Sequence, residues 1–477
     1  MGFVEGESRS QGTLFPVSLD ELIPEEHLVR VIDLWVDRVD VAQLGFAKAQ
    51  PNGVGRPPYD PADLLKLYLY GYLNQLRSSR KLEKESHRNI EVLWLLKRLT
   101  ADFKTIANFR RENGIAFTAA CRAFVSFCRG EQLIRGELVA IDGSKFGAVA
   151  SKRRAVSHRK LVRQTTALDA DITHYLAELA VADAAEQLDS APNPDQLKAT
   201  LAHLKNKRAD VASAAALMAE MSIAHHVVGE PEARLMKTSQ APPRMAYNVK
   251  TAVDGEHGLI LYHEVTQEAS ENRQLEPMAK AAKAVLEQET LSVVADAGYS
   301  NGEQLAACEV AQIIAFVPPN RSINNQGDGQ LFQKDRFTFD VEQDGYRCPA
   351  GEFLARKQVL KKERMVVYTT TASPDCPQKE KYTNAKQRYV SRHRNEDALA
   401  AAHRRCESTP QRMKDRRAIV EQPFGNLKGH IFGNARFLLR GLIRARGEMA
   451  LAVLAYNFRR VSHILGIPAM LAALAAS

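Results

Sequence analysis

Cysteine is scarce and unpatterned. The six thiols, at 121, 128, 308, 348, 376 and 406, form no C-x-x-C pair. That excludes a disulfide scaffold and fits free thiols in a reducing cytosol. Long apolar runs are missing too. The longest, Ile464 to Ala476, is too short to span a bilayer and contains Pro468. The first residues carry Glu5 and Glu7 and no apolar stretch, so a signal peptide is not expected. What remains is ordinary for a globular chain: 477 residues, 45% hydrophobic and 25% charged, enough for two or three domains. Sixty-five basic against 56 acidic residues leave a net charge of +9. This moderate excess favours a polyanionic partner.

The first 130 residues read as helical. Val29 to Val39 has helical apolar spacing, and Pro57-Pro58-Tyr59-Asp60-Pro61 then breaks the chain. Asp60 suits an N-cap and Pro61 the first helical position of a helix from Ala62 to Leu76. Ser78-Ser79 opens another, with Arg80, Lys81, Lys84, His87 and Arg88 close together. Asp102 and Thr105 can cap a further helix holding Arg110 and Arg111. Short helices with clustered cations suit a helix-turn-helix DNA-binding unit. A helical bundle with a solvated basic face fits equally well.

Strands begin at Leu138-Val139-Ala140-Ile141, which run into Asp142-Gly143. A short apolar run closed by a turn signal reads as a buried strand, with Asp142 at its carboxyl end. Alone, Asp-Gly there is most often a turn. Two basic runs follow, Lys152-Arg153-Arg154 and His158-Arg159-Lys160. An Ala-rich segment then reaches Met221, broken at Ser190-Ala191-Pro192-Asn193-Pro194. This predicts an antiparallel helical hairpin. Ala246 to Val253 and Leu259 to Val265, joined through Asp254-Gly255, read as a β-hairpin. A helix from Asn272 to Glu287 comes next. Leu291 to Tyr299 repeats the opening theme with Asp296, Ser300 and Asn301 can cap a helix, and Ile313 to Val317 is another strand. The order predicts a mixed α/β sheet with two carboxylates at strand ends. Residues 318–410 read as a loop-rich insertion without a core of its own, with an edge strand over Lys361 to Tyr368. Arg412 to Val420 then forms a basic helix leading to Glu421.

Two strand-end aspartates and a glutamate on a basic helix could hold a pair of divalent ions. Hard oxygen ligands suit Mg²⁺, and two ions can clamp both oxygens of an in-line phosphoryl displacement. Basic neighbours would then meet a phosphate backbone. Arg417 and Glu421 are four apart and share a face, as in an ordinary i,i+4 ion pair. Lys428, seven after Glu421, would extend that face, although Pro423 should kink the helix and Gly425 adds slack.

At these residues the chain resembles the DDE transposases of bacterial insertion sequences. Asp142 in Ala140-Ile141-Asp142-Gly143-Ser144 and Asp296 in Val294-Ala295-Asp296-Ala297-Gly298-Tyr299 match the family's first two acids. Glu421, in Arg417-x-x-x-Glu421-x-x-x-x-x-x-Lys428, matches the third. Lys414 stands where the signature has a tyrosine. The resemblance extends to Gly55-Arg56-Pro57-Pro58-Tyr59-Asp60, Thr105 to Arg110, Tyr247-Asn248-Val249 and Leu454-Ala455-Tyr456-Asn457, and so spans most of the chain. Relatives carry a cysteine-rich knuckle, of which Cys348-Pro349-Ala350-Gly351 and Cys376-Pro377 resemble remnants. With Ser373 and Tyr382 in place of further cysteines and His393 read as a surface residue, zinc is not expected.

The resemblance implies an RNase H-like mixed sheet flanked by helices, over 131–477, behind an all-α N-terminal DNA-binding domain over 1–130. A helical insertion (150–240) and the loop-rich one (318–410) interrupt the catalytic part. It implies an enzyme that cuts and joins transposon ends, with Asp142, Asp296 and Glu421 binding two Mg²⁺ ions, for which Mn²⁺ could substitute. Arg417 and Lys428 would position phosphate, and Arg80, Lys81, Lys84, Arg110 and Arg111 would contact DNA. Partners would be double-stranded DNA, as terminal inverted repeats and target, and further copies of the chain in a dimer or higher assembly. The setting would be the bacterial cytoplasm, at the nucleoid, with no membrane. Two alternatives stay open: an RNase H-like nuclease without strand transfer, and a retired transposase that only binds DNA.

Overall fold

The computed structural model of the chain describes residues 18–50, 57–184, 194–237, 242–319, 334–360, 364–371, 381 and 387–476. Several expectations lie outside these: Gly55-Arg56, the break before Pro194, the loop at 324–329, and positions 373, 376 and 382.

Six helices come first: α1 (Leu28–Arg38), α2 (Pro61–Leu73), α3 (Ser79–Ser86), α4 (Ile90–Leu95), α5 (Phe103–Glu112) and α6 (Gly114–Gly130). Their starts follow side-chain capping. Asp60 accepts from Ala62 N at 2.8 Å with Pro61 at the first helical position, and Asp102 accepts from Lys104 N and Thr105 N. α2 is buried almost all round, Lys66 included. Its ammonium is paired with Asp33 and Asp37 of α1, at 2.6 and 2.5 Å, which is what makes that burial tolerable.

The next elements are β1 (Val139–Gly147), β2 (Ala155–Ser157), α7 (His158–Ala184), α8 (Pro194–Glu220), β3 (His225–Val227), β4 (Arg234–Met236), β5 (Arg244–Asp254) and β6 (Ile260–Thr266). They are followed by α9 (Leu275–Leu286), β7 (Leu291–Val294), α10 (Gly302–Val310) and β8 (Ile313–Phe316). The main sheet runs β8-β7-β1-β5, with β4 and β6 pairing different stretches of β5's other edge. β7 and β8 are parallel to β1 and its neighbour, while β5 runs antiparallel to β1, β4 and β6. This is the RNase H-like order, as implied. The helical hairpin α7–α8 is inserted between β1 and β4 and is closed at its base by the β2–β3 pair. Its base holds a small core of its own, with Val156, Leu161, Ala214 and Met218.

One expectation about β1 is corrected. Asp142 does not end the strand, which continues five residues to Gly147. β5 pairs with β1 along its whole length, Val139 with Asp254 through Gly147 with Ala246, whereas β7 pairs only Val139 and Ala140. Asp142 therefore stands just past the end of the parallel neighbour, inside a strand that the antiparallel neighbour keeps extended.

A second correction concerns the later insertion. Strands β9 (Thr338–Asp340), β10 (Gly345–Arg347), β11 (Phe353–Leu360), β12 (Met365–Thr369) and β13 (Tyr389–His393) form an antiparallel sheet ordered β13-β12-β11-β10-β9. It has its own core of Phe337, Tyr346, Cys348, Leu354, Tyr368 and Val390. β9 and β10, of three residues each, are too brief to display an alternating pattern, and β11 is largely exposed, so the aromatic residues went unread as core. β12 is an interior strand of that sheet and not an edge.

The chain closes with α11 (Glu396–Ser408), α12 (Pro410–Asn426), a π turn (Leu427–Ile431), α13 (Leu442–Leu465) and α14 (Ile467–Ala476). α13 packs on α6, α2 and β6, so the N-terminal helices and the main sheet share one core. Trp35, Phe124 and Phe458 meet within it, with Phe124 and Phe458 stacked at 4.2 Å. Asn457 donates to Ile260 O and accepts from Ile260 N, both at 2.9 Å, and Tyr456 donates to Gly258 O. The late Tyr-Asn pair thus pins α13 to the start of β6.

Arg110, taken from the sequence as a DNA contact, is also corrected. It is 6% exposed and donates to Arg77 O at 2.8 Å, facing Tyr68, Tyr72 and Glu448 inside the fold. Helical spacing from Ile106 separates it from exposed Arg111 beside it. The apolar positions Ile106 and Phe109 set which side of α5 faces inward, and Arg110 lies on that side.

Candidate active site

Asp142 and Asp296 come together through strand register. Ala140 pairs with Val294 across the parallel β1–β7 ladder. Each aspartate lies two residues further on, so both side chains leave the same face. That face is covered by α12, whose Met413, Ile419 and Val420 pack with Ala140 and Val294. Asp142 Oδ1 accepts from its neighbour Gly143 N at 2.7 Å, and Oδ2 lies 3.3 Å from Arg416 Nη1. Asp296 Oδ1 accepts from Gly298 N at 2.9 Å and caps a short turn over Ala297–Tyr299. Burial raises both carboxyl pKa values. Glu271 adds to the rise in each, and Asp296 adds to it in Asp142. The result is a crowded anionic site, partly relieved by Arg416, in which a cation would be favoured.

Behind this pair lies an arrangement the sequence reading missed. Lys250 is fully buried on β5, opposite Gly143. Its Nζ lies 3.0 Å from Glu271 Oε1, and Lys145 Nζ lies 3.1 Å from the same oxygen. Burial pushes the Glu271 carboxyl up, but the two ammonium groups outweigh it and hold the pKa below the ordinary value. Lys250 Nζ also stands 5.0 Å over the ring of Tyr299, whose buried hydroxyl has no hydrogen-bond partner among the described residues. A lysine in the middle of the apolar run Ala246 to Val253 was the available signal. Glu271, in a polar stretch before α9, gave none.

Gly143 leaves the room this packing needs. A Cβ there would stand 2.8 Å from Lys250 Cδ and 3.0 Å from Glu271 Oε1. Gly143→Ala is therefore expected to cost about 1–3 kcal/mol by overpacking, read as a lowered midpoint in urea unfolding. An unchanged midpoint would show that Lys250 can move aside freely.

On α12 the structure selects Arg416 rather than Arg417. Arg417 and Glu421 pair with each other at 3.8 Å and are 76% and 71% exposed. Lys428 leaves that exposed side and stands half-buried, its ammonium 6.0 Å from the Phe146 ring centroid. Its pKa is lowered, first by burial. Pro423 stays within α12, and Lys428 lies in the wider π turn that follows. The expected common face of Arg417, Glu421 and Lys428 is therefore lost. Among the described residues no three His, Cys, Asp or Glu side chains lie close enough to hold one metal ion.

In the N-terminal helices Arg80, Lys81 and Lys84 are exposed on α3, with the Arg80 guanidinium 5.1 Å over the Phe103 ring. Arg111 is exposed and pairs with Glu112 at 3.0 Å. His393 is half-buried, and its Nδ1 accepts from Asn395 N.

Two family models match the chain. A transposase domain (DUF772) covers residues 17–112, and a transposase DDE domain covers residues 231–458. The chain belongs to the DDE transposases. Members of this family cleave DNA and transfer strands with the help of divalent metal ions. The DDE match takes in Asp296 and Glu421. Asp142 lies before it, separated by the α7–α8 hairpin that falls between the two matched segments. A cryo-EM structure of a piggyBac transposase synaptic complex with hairpin DNA is similar at 8% identity and a TM-score of 0.37. The likeness covers 94% of this transposase and 79% of that chain. No curated protein matches. Among the described residues no helix is long and apolar enough to cross a membrane.

Proposed function

We propose that this transposase cuts and joins the ends of its element at Asp142, Asp296 and Glu421. The observation that carries the reading is the placement of Asp142 and Asp296 side by side beyond the β1–β7 ladder, facing α12. Two partly buried carboxylates that raise each other's cost of ionisation fit a hard divalent ion such as Mg²⁺. Glu421 would join them from α12, five residues beyond Arg416, once its carboxylate leaves Arg417. Two Mg²⁺ ions, or Mn²⁺ in their place, would supply charge to both oxygens of an in-line displacement.

The chain's own residues do the rest. Asp142 and Asp296 fix where the positive charge sits. Arg416, already on Asp142, and Lys428 offer donors to the phosphate as the ions take over the carboxylates. Arg417 is free to meet the backbone once Glu421 turns inward. Exposed Arg80, Lys81 and Lys84 on α3, with Arg111, support recognition of the element's terminal inverted repeats by the N-terminal helices. Holding two ends together calls for a dimer or higher assembly, acting at the bacterial nucleoid.

The test is an end-cleavage and strand-transfer assay with inverted-repeat DNA and Mg²⁺. Wild-type protein should cut and join, and Glu421→Gln should do neither while still binding DNA. Joining by Glu421→Gln at the wild-type rate would remove Glu421 from the site. Cleavage without joining by the wild type would make the chain a nuclease.

A further inference from the structure

The carboxyl-terminal half of β1 leads from the two aspartates, past Lys428, to four arginines that the proposed chemistry does not use. At Gly147 a bridge joins the strand to Arg436. Arg436 donates to Ala148 O and Val149 O while remaining exposed. Arg244, on β5, reaches the same point: its Nη1 would lie 3.5 Å from a Cβ placed on Gly147. On the side towards Asp142, Arg244 stands close enough to Lys428 to disfavour its charge.

Further along, Arg154 and Arg440 converge. Their Nη1 atoms lie 3.5 and 3.8 Å from the place a Cβ would take on Gly229, whose φ of +78° is the left-handed region that suits glycine. Both are exposed, and among the described residues neither makes an ion pair. The neighbouring acids are committed elsewhere. Glu230 accepts from Ala150 N and the Tyr247 hydroxyl, and Glu232 accepts from Leu442 N at the start of α13. Two guanidinium groups around one point, neither of them ion-paired among the described residues, leave donors for an anion lying between them. Planar guanidinium donors match phosphate oxygens well.

We propose that Lys428, Arg244, Arg436, Arg154 and Arg440 form one phosphate track for the DNA flanking the cleavage point, ending in an Arg154–Arg440 clamp at Gly229. The partner is the backbone of duplex DNA, read without regard to sequence. Gly147 lies five residues past Asp142, roughly 17 Å along an extended strand. With phosphates about 3.4 Å apart along one strand, the Arg244–Arg436 part of the track falls about five nucleotides from the cleaved bond. The inference rests on the transposase reading for its direction along the DNA, but not for the contact itself.

The experiment is a KCl titration of binding to a fluorescent 40-base-pair duplex of arbitrary sequence, by anisotropy, with the full chain. Each phosphate contact contributes about 0.9 to the slope of log affinity against log salt. The double variant Arg154→Gln/Arg440→Gln should lower the slope by about 1.8 and bind some tens of fold more weakly near 0.1 M salt. Its thermal midpoint should stay at the wild-type value, because both side chains are exposed and unpaired. Lys205→Gln/Lys207→Gln, on the exposed face of α8, serves as the comparison and should leave the slope unchanged. A wild-type slope in the arginine variant, or an equal loss in the α8 variant, overturns the track. If the wild type binds duplex but neither cuts nor joins ends, the reading of the catalytic site fails while the slope still decides the clamp.

Discussion

Asp142→Asn should abolish Mg²⁺-dependent cleavage while leaving the metal-free protein at least as stable as the wild type. The loss of activity should be at least about 10²–10³-fold, the scale for removing one preorganised electrostatic group from a reacting centre. The stability effect has the opposite sign because Asp142 and Asp296 are ionised against a cost. Burial raises both pKa values above the ordinary 3.8, and neighbouring carboxylates raise them further. A group whose folded pKa is raised stabilises the fold most below its unfolded pKa. That contribution is lost as pH rises through the folded pKa. Metal-free wild-type protein should therefore lose stability as pH climbs above about 4, and Asp142→Asn should lose less. Added Mg²⁺ should raise the wild-type melting temperature and leave the variant's almost unmoved. Retention of wild-type cleavage by the variant would sink the assignment. A variant that is much less stable without metal would show instead that the Arg416 contact is structural.

Glu448→Ala should be the most damaging single change to the fold. Glu448 is fully buried on α13, 2.9 Å from Arg77 Nη1, and accepts from Leu438 N and Leu439 N. Arg77 also donates to Phe432 O and Arg436 O, and Arg110 donates to Arg77 O. Removing the carboxylate would leave two buried guanidinium groups without an anion and two amides without an acceptor. Breaking one member of a buried pair costs about 3–5 kcal/mol. Urea unfolding should show a loss of that size. Glu448→Gln, which keeps acceptor atoms but not charge, should lose less. A loss under about 1 kcal/mol would mean that water reaches the network. The same residues tie α2's end, α5 and α13 to the segment after the π turn, so the damage should extend to DNA binding.

The parts of this fold that were legible in the sequence are those set by local chemistry. Asp60-Pro61 and Asp102 announced helix starts, and the two apolar runs ending in Asp142 and Asp296 announced neighbouring strands. What was not legible depends on register. Arg416 and Arg417 are adjacent, and only the packing of Val420 and Met413 on β1 and β7 decides which of them meets Asp142. Lys428 sits two helical turns from Glu421 by count, yet a π turn moves it to the side of Phe146. Lys250 and Glu271 are 21 positions apart in the chain, and only the β5–β6 hairpin and α9 bring them together. The small aromatic sheet went unread because two of its strands have three residues and its longest, β11, is a largely exposed polar run.

The inserted hairpin also bears on how such a chain can reach its native state. β1 must find β5, and the paired residues Gly147 and Ala246 are 99 positions apart in the chain. If α7 and α8 zip up first, the β2–β3 ladder brings Ala155 beside Val227. The open path then shrinks to the eight residues from 147 to 155 and the 19 from 227 to 246. Loop-closure entropy scales with the logarithm of length, so the shortcut relieves about 1 kcal/mol of the search for the central strand pair. A long interruption placed between the first catalytic strand and its partner thus need not slow assembly, since local helix pairing restores most of the proximity that the added residues took away.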